Sequence, residues 1–229
     1  MDILLDDPAT ERIFRDLLTK IRLLKNGETV AQMKSLGVNY RINWGASIIS
    51  LRQLAGKYSK NHLLALKLWN KQWRETMILA TLLDNPGQIS EEQMDYWTKN
   101  LETQEIAEQA VANLFVHSKF AYVKALEYCR GKKHLVRFTG LQLIGRLAMI
   151  DKKAIDEMFE PFFDVLFPLA KDPDLAQVFY RTMIQMANRS NALHDSCKNF
   201  FMQMLVMEND HPKNLARLLL EEISENNGD

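Results

Sequence analysis

Between Thr103 and Met149, apolar residues recur at helical spacing in successive segments, each with an apolar face that it cannot bury alone. The first segment, Thr103–His117, carries Ile106, Ala107, Ala110, Val111 and Leu114 on one side. The second is Phe120–Tyr128. A basic turn, Arg130-Gly-Lys-Lys133, leads to the third, Leu135–Met149, with Val136, Leu141, Leu143, Ile144 and Leu147 apolar. A helix, a tight turn and a second helix form a unit that is stable only when stacked on its neighbours, and the same unit recurs on both sides of this stretch.

Upstream, the pattern predicts helices over Glu11–Lys25, with Thr10 as N-cap and Asn26-Gly27 as the stop, and over Val30–Leu36, closed by Gly37. Val38–Gly45 is the least periodic part of the chain and reads as a crossing loop. Ser47 or Ser50 is placed to cap Leu51–Tyr58. Helix pairs follow: His62–Asn70 with Arg74–Leu83, then Glu91–Lys99 with the Thr103 helix. Ser90 and Gln93 match a capping box before Glu91. Lys153–Ala170, interrupted at Pro161 and near Pro168, pairs with Asp174–Asn188. Ala192–Met207 pairs with Pro212–Ser224, and Asn226–Asp229 reads as a frayed end.

The second helices begin near Trp73, Thr103, His134, Asp174 and Pro212, a spacing of roughly 30 to 40 residues that suits helical-repeat solenoids. No sustained alternation of β-branched residues marks a strand. The expected fold is all-α, a HEAT-like solenoid forming one domain over residues 1–229. Residues 1–37 would cap it, 46–224 would form the stacked pairs, and the inner face would be concave.

Hydrophobic residues make up 47% of the 229, enough for a substantial core. Lys+Arg and Asp+Glu are both 29, so bulk charge does not drive indiscriminate nucleic-acid binding, although a basic groove offset by an acidic exterior fits the same balance. Cys129 and Cys197 sit in helical patterns without a CxxC and read as buried small hydrophobes of a reducing cytosol. The first residues lack the basic region of a signal peptide, and no apolar run approaches the ~20 residues of a membrane span. A cytoplasmic protein is expected, with no membrane partner. Its oligomeric state is not fixed by the sequence.

The five His are not spaced as a metal site, no HExxH or Walker motif occurs, and neither metal nor cofactor is expected. Gly140 and Gly145 read as packing contacts inside a helix. The suggestive residues are cations near the starts of second helices: Arg74, Lys132, Lys133, Arg137, Arg181, Lys213 and Arg217. Lining an inner face, they would attract a phosphodiester backbone; otherwise they are solvated helix-end charges. Trp69 and Trp97 read as core residues. Trp73 and Trp44 are candidates for stacking on a nucleobase, Trp44 alternatively for covering the end of the array. Glu108, flanked by Ile106, Ala107 and Ala110, is a candidate for a partly desolvated carboxylate, with Arg137 as the cation to pair it. Its plain reading is an exposed helix carboxylate.

At this point the chain resembles the AlkD-like DNA alkylation-repair proteins, whose active members are HEAT-like-repeat DNA glycosylases that excise cationic alkylated purines. The resemblance runs from about Gly45 to Arg189. It is carried by Trp44–Ala55, Leu66–Trp69, Trp73–Ala80, Ile89–Trp97, Ile106–Phe115, Leu135–Gly140 and Ile184–Arg189 in that order. It implies double-stranded DNA as the partner. It also implies a Trp and, four residues on, a catalytic Asp on one inner helix, an Arg on the next, and a further Trp framing the lesion. Gln104 stands at the Trp position, Glu108 at the Asp position and Arg137 at the Arg position, and Arg181 falls near the later Trp. Gln104 and Trp73 are the lesion-pocket positions; Gln104 and Arg181 supply no aromatic face for cation–π attraction and Arg181 would repel a cation, while the longer Glu108 shifts the carboxylate, which implies weak or absent excision. The alternative is a non-catalytic scaffold whose inner face holds a protein partner.

Overall fold

The computed structural model describes residues 7–225; the readings of the first six residues and of Asn226–Asp229 lie outside them. The described residues are helical with no strand among them, and they fall into two compact units that divide between Lys119 and Phe120.

The first unit opens with α1 (Pro8–Leu23) and α2 (Gly27–Ser35). α1 starts three residues before the expected position because Asp7, not Thr10, is the N-cap: its carboxylate accepts from Ala9 N at 3.1 Å, with Pro8 in the first turn. The buried Thr10 hydroxyl donates to Asp7 instead. α1 ends at Leu23 with Leu24 as its C-cap, and the Asn26-Gly27 pair expected to stop it opens α2 instead, Asn26 accepting from Thr29 N at 3.1 Å. After the irregular 38–47 segment come α3 (Ile48–Ala55), capped by Ser47, α4 (His62–Asn70) and α5 (Arg74–Leu83). α6 (Glu91–Lys99) and α7 (Gln104–Asn113) follow, then a 3-10 turn at Phe115–His117. Ser90 accepts from Gln93 N at 3.1 Å, but the Gln93 amide turns to Asp84 at 2.6 Å, so the capping box is half made.

α5 is buried almost end to end against α3, α4 and α7. Arg74 at its start bonds Glu105 at the start of α7, and Thr81 near its end accepts from Asn113 at the end of α7 at 3.0 Å. These contacts make α5 and α7 parallel neighbours, as second helices of successive pairs must be. Trp69 and Trp97 stack with ring centroids 4.0 Å apart in the core, as expected of them.

The second unit contains α8 (Ala121–Cys129), α9 (His134–Ile150), α10 (Glu160–Leu169), α11 (Ala176–Ala187), α12 (Asn191–Met204) and α13 (Asp210–Glu225). Pro161 belongs to the first turn of α10 rather than interrupting a longer helix, and the chain before it forms a 3-10 turn at Asp156–Phe159. α8 and α9 approach so closely at Gly140 that a Cβ there would stand 2.7 Å from Cys129 N and 2.8 Å from its Sγ. α9 and α11 run parallel: the Thr182 hydroxyl donates to Leu141 O at 2.9 Å, and Arg189 to Ala148 O at 3.1 Å. Both cysteines are free and buried, and burial pushes each thiol up to about 12.

Candidate nucleic-acid interface

Arg74 lies where the helix pattern puts it, at the first turn of α5, but it points inward. Only 3% of it is exposed. Its Nε and Nη2 fork onto the Glu105 carboxylate at 2.8 and 2.6 Å, and Nη1 donates to Ala46 O at 2.8 Å and Glu75 at 3.2 Å. Burial works against charge on Glu105, yet the bonds from Arg74 and from the Tyr40 hydroxyl at 2.5 Å outweigh it and hold the carboxyl below its ordinary value. Glu75, fully buried, accepts from Trp44 N at 3.1 Å and Ala46 N at 3.3 Å. The expected surface cation is therefore the centre of a buried network that pins the irregular segment to α5 and α7.

Trp73 is likewise inside, 5% exposed. Its ring meets Trp44 at 5.6 Å, with Arg22 over both rings and Lys71 over Trp73. Its faces are occupied by the protein itself, which leaves no free surface for a flipped base. Gln104 is exposed and Glu108 half-buried on α7.

The remaining expected cations belong to the second unit. Lys132 and Lys133 are exposed ahead of α9, whose first turn has no side-chain cap. Arg137, one turn into α9, is half-buried and pairs with Asp172 at 2.9 Å, with its Nε buried and lacking a hydrogen-bond acceptor. The cation expected to meet Glu108 thus has a carboxylate partner of its own. Arg181 is exposed on α11, next to the Thr182 that touches α9. Lys213 lies on the first turn of α13, 3.5 Å from Asp210 and 3.3 Å from Glu208 O. The second unit therefore brings Lys132, Lys133 and Arg137 together at one helix start.

A solved structure described as a new family of proteins related to the HEAT-like repeat DNA glycosylases with affinity for branched DNA structures matches this chain at a TM-score of 0.74. The match covers 93% of this chain and 94% of that one at 16% identity. The fold is HEAT-like. No protein-family model and no curated protein matches the sequence. Among the described residues no group of His, Cys, Asp and Glu is placed to hold a metal ion, and no helix is long and apolar enough to cross a membrane.

Sequence reasoning missed the acids Glu75 and Glu105, and with them the burial of Arg74. It also passed over Lys34, Tyr40 and Arg41. Tyr40 and Arg41 lie in the aperiodic stretch and Lys34 just before it, and the lack of pattern there was the one available signal.

Proposed function

We propose that this HEAT-like protein binds DNA, branched in preference to continuous duplex, with the basic start of α9 as a principal contact. The observation that carries the reading is the fold shared with a protein of that affinity over nearly the whole of both chains. Its local support is the α9 start: exposed Lys132 and Lys133 precede a 17-residue helix whose first amides lack a side-chain cap. Uncapped N–H groups and the positive end of the helix dipole favour a phosphate at that place. Arg137, Arg181 and Lys213 are the further contacts, Arg137 exchanging Asp172 for phosphate. Arg74 has no part, because its donors are consumed inside the protein. The working compartment is the cytoplasm.

Excision of alkylated purines is weak or absent in this reading. Gln104 offers no aromatic face, Trp73 is covered by Arg22, Lys71 and Trp44, and Arg181 repels a cationic base. Glu108 is the residue for any remaining activity.

The test is fluorescence anisotropy with a labelled four-way junction and a linear duplex of equal length, alongside an assay for purine release from methylated DNA. The reading expects salt-sensitive binding that favours the junction, with little release. Absence of binding to both at low salt would overturn it. Brisk release that disappears in Glu108→Gln would overturn the catalytic part alone.

A further inference from the structure

The aperiodic stretch between α2 and α3 builds a cavity of about 260 Å³ lined by Val30, Lys34, Tyr40, Arg41, Ile42 and Trp44, together with Asn43. We infer that this cavity binds a nucleoside monophosphate, the base beside Trp44 and Tyr40 and the phosphate on Lys34 and Arg41. The site is on other residues than the DNA contacts proposed above and does not rest on them.

The composition of the lining carries the argument. Tyr40 and Trp44 line the cavity with aromatic surface that accepts a base of any sequence, the rest of the Trp44 ring lying against Trp73 and Arg22. Lys34 and Arg41 are exposed cations at the rim, and among the described residues neither is bonded to a carboxylate. The acids behind the wall do not cancel them, because Glu105 and Glu75 are both bonded to Arg74. An apolar occupant would leave both cations unused, whereas a nucleotide supplies a flat ring and charge. At about 260 Å³ the space is smaller than the roughly 300–1,000 Å³ of drug-sized sites, which suits one base and excludes a base pair.

The walls are also held in place. Trp44 O accepts from Asn26 N at 2.7 Å, Ile42 O from Arg74 N at 3.0 Å, and Glu75 grips Trp44 N. Gly45 has φ +75, and a Cβ there would stand 2.1 Å from Asn26 O, so the loop closes onto the start of α2 only because this residue is glycine. A preformed site loses little freedom on binding.

The same chemistry comes from two sources, a free mononucleotide or a nucleotide left unpaired at a DNA branch. The experiment is ¹⁵N-detected NMR of the indole N–H groups of the full chain, with Trp44→Phe identifying the Trp44 signal. Deoxyadenosine monophosphate should move that signal saturably, and deoxyadenosine or inorganic phosphate alone should bind far more weakly. Lys34→Ala with Arg41→Ala, both exposed and outside the core, should weaken the nucleotide by at least about tenfold. A Trp44 signal unmoved by the nucleotide, or moved equally in the double variant, overturns the inference. A duplex with a single-stranded flap that moves the signal where the blunt duplex does not identifies the DNA source. Response to the mononucleotide without response to the flap identifies the free one. Failure of the DNA reading shows separately, as loss of binding to both junction and duplex.

Discussion

Replacing Glu105 by Gln leaves the Arg74 guanidinium, 3% exposed, without the carboxylate that neutralises its fork. Glu75 still pairs with Nη1, but the loss of the charged fork makes Glu105→Gln destabilising by about 2 kcal/mol, read as a lower urea midpoint at neutral pH. The pH dependence has a definite sign. Glu105 titrates below its ordinary 4.5 in the folded protein, so its stabilisation is complete above that value and is lost as pH falls through the lower folded one. The gap between wild type and Glu105→Gln should therefore narrow below about pH 4.5. A gap that stays constant with acidification would mean that Glu105 is not charged in the native state. Arg74 also shows why single residues were hard to read. A cation in the first turn of a helix looks like a surface charge. Its partners Ala46 and Glu105 lie 28 and 31 residues away, and no local pattern announces them. Trp69 and Trp97 were legible because their place follows from the helix face alone.

Elements were legible to the extent that their signals are local. Ser47 and Ser90 cap the helices expected of them, and Gly140 sits at a helix contact. Starts failed where two side chains compete for one cap, as at Asp7 and Thr10. They failed also where proline sits inside the first turn rather than before it, as at Pro161. The two glycines of α9 separate backbone from side-chain constraint. At Gly140 the obstacle is the Cys129 backbone, so Gly140→Ala should cost about 1–3 kcal/mol despite the better helix propensity of alanine. At Gly145 the nearest atom is the Gln185 amide oxygen, the far end of a flexible side chain. Gly145→Ala should stay within about 1 kcal/mol of wild type. Thermal melts of the two variants check this, and equal losses would contradict the packing described for α8 and α9.

At the scale of the whole molecule, the repeat was the most legible feature. Apolar periodicity and turn spacing gave the succession of helix pairs, because each pair has to bury the same face against its neighbour. Binding was less legible. A formal net charge of +0 conceals where cations collect, and only the structure separates the buried Arg74 from the exposed Lys132 and Lys133. The central claim is that the start of α9 holds DNA phosphates. The direct measurement is junction affinity across about 50 to 200 mM salt, for wild type and for Lys132→Ala with Lys133→Ala. Each phosphate contact contributes about 0.9 to the slope of log affinity against log salt, so the double variant should bind more weakly, with a slope shallower by about 2. An unchanged slope and affinity in that variant would contradict the account.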